Sequence, residues 1–99
     1  MKTIELKRIP VTVYGSEDVF EYGEFFRRLL EAPANPEKGA TIAEIRQTIR
    51  VLDALDGATD SLTLEDADFA ILLQRVKSAT FTANHRAFID LVDYLEAMQ

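Results

Sequence analysis

Hydrophobic and polar positions alternate at the start of this chain and then change period. Ile4 and Leu6 alternate with polar neighbours, and Ile9, Val11 and Val13 do the same on the opposite parity. A strand with one buried face keeps its parity, so the change across Lys7-Arg8 requires a bulge or a break. Lys-Arg is poor chemistry for a two-residue hairpin, which takes Gly, Asn or Asp at positive φ, and Pro10 withholds a ladder donor. The pattern predicts one bulged edge strand or two short ones, a strand or hairpin at the N-terminus. Ser61-Leu62-Thr63-Leu64 is the nearest second strand candidate, and it is short. Because an isolated two-stranded ribbon is marginal in water, the N-terminal strand is expected to pair with another chain.

From Ser16 onward the period becomes helical. Gly15-Ser16 ends the extended region, and Ser16 with Glu17 and Asp18 reads as a helix start. Tyr22, Phe25, Phe26, Leu29 and Leu30 form one apolar stripe of that first helix, with Glu24 and Arg28 spaced to pair on the other side. Gly23 costs the helix about 1 kcal/mol relative to Ala, and either delays its start or admits a close neighbour. Two prolines and a glycine make residues 32–40 a loop. The second helix opens on a Thr41/Glu44 capping box and stops at Gly57. Its Ile42, Ile45, Ile49 and Leu52 follow the spacing of a coiled-coil seam, but over only about one and a half heptads where a seam needs three or four. Packing into the core is the expectation for that stripe.

The third helix opens on Thr63 and Asp66 in a similar capping arrangement, ends near Ser78, and carries the run Phe69-Ala70-Ile71-Leu72-Leu73. A helix that is apolar all round must be surrounded, so it is either the hub of the core or partly covered by a partner. The fourth helix spans about Asn84 to Met98, with Phe88, Leu91, Val92 and Leu95 inward and Asp90, Asp93 and Glu96 outward. The expected fold is α+β and mostly α: one domain over 1–99, with a β-type arm at 1–14 and a helical core at 16–98 packed around the third helix.

Composition narrows the class. Ninety-nine residues with 47% hydrophobic and 28% charged side chains describe a folding globular chain. The absence of cysteine excludes disulfides and thiolate metal sites. Met1 to Lys7 holds no apolar run of signal-peptide length, and no stretch approaches the roughly 20 apolar residues of a membrane span, so a cytoplasmic protein is expected. The net charge of −6 is uneven: Asp53, Asp56, Asp60, Glu65, Asp66 and Asp68 fall in a stretch without Lys or Arg, whereas Lys2, Lys7 and Arg8 oppose Glu5 alone near the N-terminus. The cluster reads either as solvated charge that favours the helix dipole or as a docking surface for a basic partner. The candidate partner surface is Asp53, Asp56 and Asp60 together with Ile9, Val11 and Val13.

No catalytic constellation emerges. His85, the single histidine, sits beside Asn84 and Arg86 with no recognisable nucleophile or orienting partner. A calcium loop started at Asp56 would place Ala58, Ser61 and Ala67 at the third, sixth and twelfth positions, which need a carboxylate, a glycine and a glutamate. The four glycines are far apart, so no phosphate-binding loop is present. Arg27, Arg28, Arg46, Arg50, Arg75 and Lys77 are dispersed among 17 carboxylates, which is not the basic stripe of a nucleic-acid reader. Arg46, Arg50 and Asp53 share one face of the second helix and are expected to pair there. The chain is therefore read as a non-enzyme with no cofactor and no metal, acting through a protein partner or a homo-oligomer.

The order of features, from Ile9-Pro10-Val11-Thr12-Val13 through Phe25-Phe26-Arg27-Arg28-Leu29-Leu30 and a Pro-rich loop to Thr41-Ile42-Ala43-Glu44 and Leu64-Glu65-Asp66-Ala67-Asp68, resembles small proteins of the structural gene modules of tailed bacteriophages and prophages. The resemblance covers most of the chain, and it implies a role in virion or tail assembly as a chaperone, adaptor or minor structural component. It carries no site residues. The alternative is an acidic regulatory or antitoxin-like protein that binds a basic partner.

Overall fold

The computed structural model describes residues 1–13, 15–32, 37–81 and 86–99, with Val13 described for its backbone alone. In chain order the elements are β1 (Lys2–Glu5), β2 (Arg8–Val13), β3 (Ser16–Glu21), α1 (Tyr22–Glu31), α2 (Ile42–Asp56), β4 (Ser61–Leu64), α3 (Asp66–Ser78) and α4 (Arg86–Glu96). The fold is α+β, with four helices and two small antiparallel sheets among the described residues.

The parity change at Lys7-Arg8 is a break between two strands in different sheets. β1 pairs with β4 in the register Ile4 to Leu62, and β2 pairs with β3 in the register Ile9 to Phe20. Both N-terminal strands thus find partners in their own chain, contrary to the expectation of pairing with another chain. The helix expected from Ser16 is instead β3, and helical structure begins at Tyr22. The reason is local: Gly15 takes φ +78° and closes a tight turn between Val13 and Ser16. Beyond that turn Val19 and Phe20 favour extended backbone, and the Asp18 carboxylate accepts from the Val19 N–H instead of capping a helix. Leu6 N–H donates to the Asp60 carbonyl and Tyr22 N–H donates to the Lys7 carbonyl, tying the strand junction to β4 and α1.

The helices pack with one apolar face each, and their inward residues meet Ile4, Leu62 and Leu64 of the β1/β4 ribbon. α1 buries Tyr22, Phe26 and Leu30, and Glu24 pairs with Arg28 as the spacing predicts. Gly23 faces the Leu6 side chain, 3.8 Å from where a Cβ would stand, so its neighbour is close but leaves room. α3 packs against α1, α2, α4 and β4. Its Phe69, Leu72, Leu73 and Val76 are buried, but Ala70 is exposed and Ile71 half-buried, so the run is not surrounded on every side. Its expected cap is also absent: Thr63 lies in β4 with its hydroxyl 3.1 Å from that of Thr3, and Glu65 occupies the cap position without a side-chain bond. α4 buries Leu91 and Leu95 and leaves Asp90, Asp93 and Glu96 exposed, while its expected start at Asn84 and the His85 reading fall outside the described residues.

Candidate interaction surface

α2 begins as its sequence requires, with the Thr41 hydroxyl accepting from the Glu44 N–H at 3.2 Å, and ends at Gly57. Which face it buries differs from expectation. Val51 and Leu55 enter the core, whereas Ile42, Ile45 and Ile49 are 65%, 44% and 47% exposed. At about 100° per residue, the seam-spaced stripe and the face that carries Val51 and Leu55 are centred roughly 120° apart around the helix, so they are adjacent but distinct. Only Leu52, half-buried and packed on the core, belongs to both.

The stripe forms one wall of a groove of about 480 Å³. Ile45, Thr48, Ile49 and Leu52 of α2 face Leu30, Glu31 and Ala32 at the end of α1, with Ala40, Glu44 and Arg75 completing the lining. α1 stops there because Ala32 turns extended, φ −92° and ψ 145°, as a residue before proline prefers. Arg75 of α3 reaches into this end and donates through Nη2 to the carbonyls of Leu29 and Ala32. Those are acceptors that a helix C-terminus leaves without helical partners, so the arginine fastens α1 to α3 beneath the groove. Burial pushes its guanidinium below the ordinary value, and the charge of Glu44 opposes that shift. The resulting surface is aliphatic, with carboxylates and one tethered guanidinium at its rim.

The acidic residues singled out from sequence disperse. Asp53 and Asp56 are exposed at the C-terminal end of α2, beside the end of the aliphatic stripe, and Asp60 is exposed just before β4. Asp56 is held by Arg27 of α1 at 2.5 Å. Asp66 meets the Met1 amino group at 3.0 Å, which holds its carboxyl below the ordinary value. Asp68 is buried against Arg50 at 2.8 Å. Arg50 therefore pairs across to α3 and not with Asp53, and neither Arg46 nor Asp53 has an ion-pair partner among the described residues. Of the β-arm candidates, Ile9 is half-buried against the core and Val11 is buried, so neither offers a free apolar face, and the Val13 side chain lies outside the described residues. Two of the three acidic candidates thus share α2 with an aliphatic stripe expected in the core, but neither lines the groove. The signal for that stripe was present in the seam spacing of Ile42, Ile45, Ile49 and Leu52.

No group of three His, Asp or Glu side chains among the described residues is arranged to hold a metal ion, and no described helix is long and apolar enough to cross a membrane. Compared with protein-family models, curated proteins and solved structures, the chain matches none.

Proposed function

We propose that this chain is a non-enzymatic protein–protein interaction or assembly module whose contact face is the outward stripe of α2. The observation that carries this reading is the exposure of Ile42, Ile45 and Ile49 on one face of α2, where Ile45 and Ile49 line an aliphatic groove. Three large aliphatic side chains aligned on one helix face are costly to leave in water, and contiguous apolar patches of that kind mark binding surfaces. The rest of the fold supports the role of a rigid carrier: α3 is taken as the centre of a mostly helical core, and Arg75 fixes the end of α1 that forms the opposite wall. The likeness to phage structural-module proteins extends the reading to a virion or tail assembly chaperone or minor structural protein, acting in the host cytoplasm or in the particle. A second reading, an acidic regulator of a basic partner, is favoured by Asp53 and Asp56 standing at one end of the stripe.

A photoreactive residue placed at position 45, with position 89 as control, tests the contact face in cells expressing the protein. Ile89 is 63% exposed on α4 but outside the groove. Cross-links at 45 and not at 89, whether to another copy or to a different protein, are the expected result. Cross-links at neither position overturn the reading.

A further inference from the structure

We infer that the occupant of the α2 stripe is a second copy of this chain, held in an antiparallel α2-to-α2 contact about a two-fold axis. The inference rests on the interaction-module reading and names its partner. A two-fold contact requires a surface complementary to itself. Setting Ile42 of one copy opposite Leu52 of the other, and Ile45 opposite Ile49, meets that condition with an aliphatic pair at each of these layers and places the axis midway between Ile45 and Ile49 along the stripe.

The charges along the outer flank of α2 fit the same register. Arg46 and Asp53 are exposed there, seven residues apart, and both lack an ion-pair partner among the described residues. In the two-fold arrangement Arg46 of one copy lies about five residues, or 7.5 Å along the helix, from Asp53 of the second copy. An extended arginine spans that distance, and the symmetry repeats the pair, so the two guanidiniums near the axis lean apart toward opposite aspartates.

The helix ends agree. α2 has no basic residue in its last turn, where Asp53 and Asp56 stand at the negative end of the helix dipole. An antiparallel neighbour brings to that end the positive N-terminus of its own α2, preceded by exposed Lys38. A parallel neighbour would stack like ends and like charges. α2 is only about 22 Å long, so the contact falls short of the roughly 800 Å² per partner of a standard interface. The dimer is accordingly weak, dissociating at micromolar concentrations or higher.

Sedimentation velocity of the full chain across a dilution series from about 1 mM to 1 μM reads this out. The expected result is a mass that rises from one chain to two with concentration. Ile45→Lys abolishes the rise and Ile89→Lys leaves it unchanged, with circular dichroism showing both variants folded. Arg46→Asp and Asp53→Arg each weaken the dimer about tenfold, and the two combined restore it. Asp53→Arg improves the charge at the end of α2 itself, so weaker association in that variant does not come from unfolding. A monomer at every concentration, a dimer indifferent to Ile45→Lys, or a double variant no tighter than the singles overturns the inference. Wild-type monomer together with a cross-link from position 45 to a different protein removes the second copy while leaving the interaction reading in place. Monomer with no cross-link at 45 removes both.

Discussion

Arg50 of α2 donates through Nη2 to the Asp68 carboxylate of α3 at 2.8 Å, and the two ends of this bridge differ in burial: the aspartate side chain is 11% exposed and the arginine 64%. Asp68 is the charged residue that the described core takes in. An ion pair of this kind adds little by existing, but a buried carboxylate deprived of its donor is costly. Arg50→Ala should therefore destabilise the fold by about 1–3 kcal/mol, and adding Asp68→Asn to it should recover part of that loss. Urea midpoints of the two singles and the double decide the matter; purely additive losses would mean the bridge contributes nothing specific.

Burial along α3 ranks its apolar run. Leu72 is fully buried, so Leu72→Ala should cost about 2–5 kcal/mol, while the half-buried Ile71 costs less and Ala70→Ser, on the exposed side, stays within about 0.5 kcal/mol. Phe20, off the helical stripes, packs edge-on against the rings of Tyr22, Phe25 and Phe88 at centroid distances of 5.6, 5.4 and 5.1 Å. Phe20→Ala should accordingly exceed Ile71→Ala, a ranking that denaturant titration of the three variants measures.

At the tip of the β2/β3 hairpin a Cβ on Gly15 would meet nothing within 4 Å, so the cost of replacing it is one of backbone conformation alone. With φ at +78°, Gly15→Val should lose about 1–2 kcal/mol and loosen the hairpin, whereas Gly15→Asn should be milder. Amide hydrogen exchange along residues 8–21 distinguishes a loosened hairpin from global destabilisation.

Hydrogen bonding from Arg8 holds the Glu21 carboxyl below its ordinary value of 4.5, closing the open end of the same hairpin. A carboxyl lowered in the folded state stabilises that state above its unfolded pKa, and the contribution disappears as pH falls through the folded value. Stability of the wild type should thus decline below about pH 4.5 more steeply than that of Glu21→Gln. In Arg8→Ala the Glu21 carboxyl should titrate nearer 4.5, which a carbon-detected NMR titration observes directly.

Local chemistry alone was enough for the elements whose signals lie within a few residues. The Thr41 cap, the Gly57 stop and the Glu24/Arg28 pair are effects of residues within one or two turns, and they stand where the sequence puts them. The strand from Ser16 to Glu21 was hidden because Ser, Glu and Asp in succession serve a helix start and a polar hairpin strand equally well, and only pairing with β2 separates the two. The direction α2 faces was hidden for a different reason. Its aliphatic residues fall on two faces, and the choice between the Ile42/Ile45/Ile49 stripe and Val51 with Leu55 depends on where α1 and α3 stand. Those positions are set by contacts between residues far apart in the chain, among them Arg75 on the last carbonyls of α1. Periodicity reveals that a helix has an apolar stripe; which stripe meets the core, and which is left for a partner, is decided by the packing of the neighbouring helices.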